Sequence, residues 1–562
     1  MTQTNTTNRF ETLTNIRKRI DDHSMEYIRT TPVLTYPDKL LNWEHKDSGG
    51  SYTEIQSDCA GVEFDMKDIL FIGAITQCTC LILGGTGEGK TTLAKRMMEA
   101  LYGKSPRYQL NEPFYALLEK NNTFPSDQLQ QLQQLKGKLI LGEAKFWDAI
   151  GKLGITLDTS KKDAITTCAK QSGSVEEQWN YYNKTTLPSM STSDFMDIDF
   201  KAMKEGTLRE SIKSIPALEL PGIILNEVNR APAPVQALLI PFLDNEFELE
   251  GKPVPIGHCF HFEHLADIRY QFCILSINET MADVEQSKYT GIEKVDKAIR
   301  DRAVIELPID MWPQRMQDVE QMLRKPTRMN VDLSDGETLM KEIAEIGSAL
   351  QTLPVDDKVY KFLIYLTRLN NCIKSPTGTK IGIAFTPHLC EGCHHKTFYR
   401  NTNACGSLES PSPRAIVNLL RVGRGFALIR AWKQKVEPKI LCEDILMAAP
   451  FVFYNKIGIN HDWLMTNSWR GHTQTAIAVG EALLSHTGTI GSRWLGIKEM
   501  MKYIYARFQS HYTWSITALH EQDARKRSEY FLTRFLDVDP WSVSILEIEE
   551  AQREVRKITQ TP

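Results

Sequence analysis

The stretch CTCLILGGTGEGKTTLAKRMMEAL, Cys78 to Leu101, constrains the fold more than any other part of this sequence. An apolar run ends in a glycine-rich turn, and the turn opens at once into an amphipathic helical pattern. A buried strand, a tight loop and a helix must therefore follow one another without a linker. Gly84, Gly89, Lys90 and Thr91 satisfy G-x-x-x-x-G-K-[ST] in the setting that this spacing requires. The residue types follow from the chemistry: glycines let successive backbone N–H groups face inward around phosphate oxygens, and the helix N-terminus adds a favourable dipole. Gly84, Gly85, Thr86, Gly87, Glu88, Gly89, Lys90, Thr91 and Thr92 thus make up a candidate phosphate cradle. Lys90 is placed to bridge the β- and γ-phosphates of ATP, and the Thr91 hydroxyl to ligate Mg²⁺. Cys78 and Cys80 fall on alternating strand positions and read as core residues.

A second short apolar run, in LELPGIILNEVNRAPAPVQ, ends in the polar pair Asn226–Glu227. Glu227 is placed to polarise an attacking water. The preceding position normally carries an aspartate that holds Mg²⁺ through a water. Asn226 brings no charge, although its amide oxygen still accepts a hydrogen bond from a metal-bound water. Such outer-shell changes cost about 10–100-fold in metal affinity or activity. Slow but real hydrolysis and a nucleotide clamp that has lost its chemistry are both compatible with Asn226; Glu227 favours the first.

The remaining chain, 562 residues in all, is long enough for two to four domains. A formal charge of -4 gives no global basic field, so nucleic acid is not indicated as a partner and not excluded. No apolar run approaches the ~20 residues needed to span a bilayer. The N-terminus does not read as a secretory signal, and eleven cysteines then point to thiols or a metal site. The expectation is a cytoplasmic protein with no membrane partner. Residues 1–8 read as disordered, followed by a helix over FETLTNIRKRIDDHSMEYI and a loop rich in Gly, Ser and Pro. Between 62 and 310, apolar runs at Cys80–Leu83, Ile223–Leu225, Phe272–Ile277 and Ala303–Leu307 alternate with helical patterns, the rhythm of a parallel sheet with helices on both faces. Residues from about 112 to 212, including SDQLQQLQQLKGKL, read as an insertion, partly helical and partly loose. The expected organisation is an N-terminal extension (1–61), an α/β nucleotide-binding domain (62–310), a helical region (311–455) and a further C-terminal helical domain (456–562).

With the phosphate loop and NEVNRAPAPVQALLIPFLDNEFELEGKPVPI both in view, the chain resembles the MoxR-like AAA+ ATPases. The match rests on EVNRAP at 227–232 and the hairpin EFELEGKPVPI at 246–256. QFCILSINET, KAIRDRAVIEL and SPSPRAIVNLLRVGRGFAL then follow in the family's order. The resemblance implies that Asn278 is the polar sensor beside the γ-phosphate, and that Arg302, with Arg300 as its rival, is a finger reaching a neighbouring subunit's nucleotide. It also implies that the helical region 311–455 is a lid and that Arg414, on the lid helix, is the second sensor. It further implies a homo-oligomeric ring, a hexamer, that remodels a client protein, often with a von Willebrand A domain partner. Asn226, the long insertion and the lack of an adenine-side motif before the phosphate loop depart from the family pattern. A nucleotide-gated scaffold and a DNA-directed motor are the alternatives.

Within the helical region, the loop at about 372–409 holds Cys372, Cys390, Cys393 and Cys405. A central C-x-x-C with flanking cysteines suits a structural Zn²⁺ site, with His388, His394 or His395 as substitute ligands.

Overall fold

The computed structural model describes residues 3–23, 32–46, 49–85, 87–198, 212–249, 252–262, 266–278, 295–312, 315–324, 336–367, 411–454, 456–457, 490–516 and 553. Cys372, Cys390, Cys393, Cys405 and Thr86 lie outside the described residues, and so do the substitute histidines.

The central element is a five-stranded, all-parallel sheet. In chain order its strands are β1 (Cys80–Gly84), β2 (Tyr181–Thr185), β3 (Gly222–Asn226), β4 (Phe272–Asn278) and β5 (Ile305–Pro308). In space they run β5-β1-β4-β3-β2. β1, β3 and β5 are buried along their whole length, which is why they read as continuous apolar runs.

The helices that position the site are α1 (Gln3–His23), α2 (Met66–Ile75), α3 (Lys90–Tyr102), α4 (Ala233–Leu243) and α5 (Lys297–Arg302). Beyond them come α6 (Gly336–Leu350), α7 (Asp357–Thr367), α8 (Pro413–Gln434), α9 (Cys442–Phe453) and α10 (Ile490–Ile516). The chain passes from β1 to β2 in one direction across the sheet and returns through β3, β4 and β5 in the other. Right-handed crossovers then place α3 on one face and α4 with α5 on the other. In agreement, α3 packs against β1, β2, β3 and β4, while α4 and α5 pack on each other.

Three expectations need correction. Residues 3–8 belong to α1, which packs on α3 and is anchored by His23 Nε2 to Glu99 Oε2 at 2.7 Å. The expected Gly/Ser/Pro loop contains an antiparallel hairpin, Lys39–Lys46 with Gly49–Gln56, whose first strand packs on α10. The region 112–212, expected as a partly helical, partly loose insertion, does contain helices, but its bounds shift because it also holds β2 of the central sheet. The excursion runs from Lys104 to Trp179 and folds as a unit. Its sheet, with Lys104–Gln109 between Leu139–Leu141 and Val175–Trp179, is antiparallel. Its helices Glu112–Lys120, Ser126–Leu132, Glu143–Gly151 and Thr159–Gln171 enclose a core of Tyr108, Phe114, Phe146, Ile150 and Ile165, separate from the main core.

The C-terminal helices share the main core with the α/β body. Asp444, fully buried at the start of α9, accepts from Arg430 of α8 at 2.8 Å and from the Tyr36 hydroxyl at 2.6 Å. Burying that charge without partners would be prohibitive, so this pair ties the N-terminal segment to both helices. Trp494 of α10 stands edge-on to Trp312 and Phe451. Among the described residues, no helix is long and apolar enough to cross a membrane.

Candidate nucleotide site

The carboxyl ends of β1, β3 and β4 meet where the strand order reverses, the place where open α/β sheets present ligand sites. At the end of β1 the loop turns through Gly87 (φ 89°) and Gly89 (φ 79°), left-handed conformations that a side chain would strain. Gly84 is required for another reason: a Cβ there would sit 2.5 Å from the Asp310 carboxylate. That carboxylate, just past β5, accepts from the Gly85 N–H at 3.1 Å and fixes the start of the loop. Lys90 opens α3, and its ammonium is held by the carbonyls of Gly84 and Gly85 at 2.7 and 2.6 Å. Burial depresses its pKa, a tendency opposed by Asp310, Glu88 and Glu227.

Next to Lys90, the Thr91 hydroxyl donates to Asn226 Oδ1 at 3.1 Å. Ser276 of β4 donates to the same oxygen at 3.2 Å, and Asn226 Nδ2 donates to Asn183 of β2 at 2.7 Å. Asn226 is 2% exposed, and this network fills both acceptor positions of its amide oxygen and uses one of its two N–H donors. Two hydroxyls and an amide oxygen are hard donors, the kind that Mg²⁺ and its bound waters take. The donor set therefore fits that ion: Thr91 would be a direct ligand and Asn226 would accept from a water on it.

Glu227 follows in a left-handed backbone conformation (φ 58°), unusual for a residue with a side chain. The conformation is held by the Thr186 hydroxyl, which donates to the carbonyls of both Asn226 and Glu227. The Glu227 carboxylate accepts from Asn278 Nδ2 at 3.0 Å and pairs with Arg230 at 3.0 Å. Non-glycine strain of this kind costs about 1–3 kcal/mol and persists where the surroundings enforce it. The residues at the ends of three adjacent strands thus bring Lys90, Thr91, Asn226, Glu227 and Asn278 together.

Arg302 and Arg414 lie elsewhere. α4 starts just past β3 and runs 11 residues, about 16 Å, back toward the amino ends of the strands. At its far end Asp244 binds Arg302 through Nε and Nη2, both at 2.6 Å. Arg414, in the first turn of α8, lies 3.6 Å from the other oxygen of Asp244. Arg302 precedes β5 by two residues, at the edge opposite the phosphate loop. Both arginines therefore sit together, away from the phosphate loop of their own chain. Asn183, Thr186, Arg230, Asp244, Ser276 and Asp310 were not among the residues singled out from sequence: Arg230, Asp244 and Ser276 fall within the quoted motif stretches without a role that spacing alone assigns, and the other three belong to none of them.

No family model matches this chain, and no curated protein matches it. Among solved structures, a protein from Cytophaga hutchinsonii named as a candidate ATPase aligns at 14% identity with a TM-score of 0.36. The alignment covers 75% of this chain and 88% of that one, a likeness too loose to carry an inference.

Proposed function

We propose that the chain is an ATPase that binds ATP with Mg²⁺ on the loop 84–92 and hydrolyses it with Glu227 as the group that orients water. The observation that carries this reading is the placement of Glu227: its carboxylate is bracketed by Asn278 and Arg230 at the end of β3, which β4 alone separates from the phosphate-loop strand. Backbone N–H groups of the loop and the N-terminus of α3 hold the phosphates, and Lys90 exchanges its two carbonyl partners for phosphate oxygens. Mg²⁺, when bound, neutralises charge on the phosphates. Asn278 keeps the Glu227 carboxylate aimed, and the carboxylate takes a proton from the attacking water.

The MoxR-like AAA+ resemblance extends this reading to a homo-oligomeric ring, a hexamer, that remodels a client protein, with a von Willebrand A domain protein as a candidate partner. α6 to α9 serve as the lid in this scheme, and α10 belongs to the additional C-terminal domain. The placement of Arg302 on Asp244, at the far end of α4 from the phosphate loop, supports its action on a neighbouring subunit's nucleotide, and Arg414 is the second sensor of the lid in this scheme. A nucleotide-gated scaffold is the second reading, favoured by one observation: both acceptor directions of the Asn226 oxygen are already taken by Thr91 and Ser276.

Steady-state ATP hydrolysis of the purified chain, compared with Glu227→Gln, tests the choice. Turnover that falls at least ~100-fold in the variant while nucleotide still binds supports the ATPase. Equal turnover in both would overturn the role of Glu227, and nucleotide binding without turnover in the native chain would leave the scaffold.

A further inference from the structure

Away from the nucleotide site, two short strands pair antiparallel: His258 opposite Tyr270, Cys259 opposite Arg269 and Phe260 opposite Ile268. Side chains alternate across a strand, and the inward set here is plain. Phe260 and Tyr270 are core residues, and the His258 ring lies 4.6 Å from that of Phe260. Cys259 and His261 therefore share the outward face. Asp267, one step beyond the Phe260–Ile268 pair, faces His261 at the end of the hairpin where the chain connects the two strands.

The thiol, the imidazole and the carboxylate each place a donor atom within 4.8 Å of the other two. His261 Nδ1 and Asp267 Oδ2 are 2.9 Å apart. Arg269, the remaining outward residue, directs its guanidinium to the carbonyls of Ile256 and Gly257, at 3.5 and 3.3 Å. Of the free cysteines among the described residues, Cys59, Cys78, Cys80, Cys168, Cys273 and Cys442 are buried; Cys259 alone is partly open to solvent.

We propose that Cys259, His261 and Asp267 form a binding site for a divalent ion of the zinc class, with water in the fourth position. A thiolate, an imidazole and a carboxylate make a borderline-soft set that suits Zn²⁺ and disfavours Mg²⁺ or Ca²⁺. A tetrahedral ion with bonds of ~2.0–2.3 Å holds its ligands about 3.3–3.8 Å apart. The present spacing reaches that through side-chain rotation alone, and His261 and Asp267 are exposed enough to rotate and to admit the ion. A bound ion pins the connected end of the hairpin, holding the start and the finish of its turn together. Its second strand continues through Gln271 into β4, and Phe262, next to the site, lies 5.1 Å from the Lys341 ammonium of α6. The site thus braces a hairpin that leads into β4 and touches α6, and it does not depend on the nucleotide reading.

The test uses the full chain carrying Cys390→Ser and Cys393→Ser, which silences the other cysteine knuckle. Zn²⁺ affinity is measured by competition with a chromophoric chelator, and Co²⁺ reports the ligands through its thiolate charge-transfer band. The expected result is one tightly held ion with that band present. Cys259→Ser then removes the band and weakens Zn²⁺ binding at least ~100-fold, and Asp267→Asn weakens it at least ~10-fold. Asp267 is exposed, so its variant keeps the fold, and circular dichroism checks both. A parent spectrum without the thiolate band, or Zn²⁺ binding unchanged by Cys259→Ser, overturns the proposal and leaves His261 and Asp267 as a surface ion pair.

Discussion

Asn226→Asp gives the sharpest test of how the nucleotide site is built. The carboxylate keeps the acceptor position that serves Thr91 at 3.1 Å and Ser276 at 3.2 Å. Its second oxygen, however, replaces an N–H group and meets the Asn183 oxygen at 2.7 Å. Asn183 is exposed, so its amide turns over and donates instead. What remains is an added charge at a position 2% exposed, and three donors offset its desolvation only in part. The expected net cost without nucleotide is about 1–3 kcal/mol of stability. With Mg²⁺ and ATP a gain of similar size offsets that cost. An outer-shell carboxylate improves metal affinity about 10–100-fold, which in excess ligand adds roughly 1.4–2.7 kcal/mol to the folded state. The assay is thermal unfolding of both proteins with and without Mg²⁺ and a slowly hydrolysed ATP analogue, alongside turnover against free Mg²⁺. A stability difference that Mg²⁺-nucleotide leaves unchanged would refute the assignment of Asn226 to the metal's outer shell.

Other outcomes follow from the same geometry. Arg302→Ala should lower turnover by ~10³-fold or more with nucleotide binding retained, and mixing it with Lys90→Ala should restore part of the activity if sites are shared between subunits; no recovery would place the arginine's action within its own chain. Gly84→Ala, which drives a methyl to 2.5 Å from the Asp310 carboxylate, should destabilise the loop by about 1–3 kcal/mol, read as a lower unfolding midpoint and weaker nucleotide binding. Although burial alone would raise the Glu99 carboxyl, His23 and Arg96 bring its pKa below the ordinary value. Its stabilising contribution is therefore present above the unfolded glutamate range, near ~4.3, and is lost as pH falls through the depressed folded value. Glu99→Gln should flatten this acid limb in stability measurements between pH 5 and pH 3, whereas an unchanged slope would show that the acid limb has another origin.

What the sequence made legible follows from burial. β1, β3, β4 and β5 lie inside the sheet or against the C-terminal helices, so their apolar runs are continuous and easily read. β2 is an edge strand, YYNKT, in which only Tyr181 is buried, and within a polar region it reads as a loop. The hairpin at 39–56 was hidden for a related reason: its apolar contacts come from α10, more than 400 residues later in the chain. At the site, the phosphate loop and Glu227 were visible because their spacing is dictated by a ligand. Asn183 and Asp244 were not, because each matters only through residues brought to it from distant segments: Asn226 in one case, Arg302 and Arg414 in the other.

The excursion from Lys104 to Trp179 leaves and re-enters the α/β body at a single point. Asn180 marks the place, its N–H donating to Gly103 O at 3.1 Å and its side chain to Tyr102 O at 2.8 Å. To the sheet, the whole lobe counts as one turn between α3 and β2. Its length and contents are thereby released from the constraints on the body, and lineages of such chains can enlarge, trim or exchange the lobe like a fitting on a common mount while the phosphate loop keeps its shape.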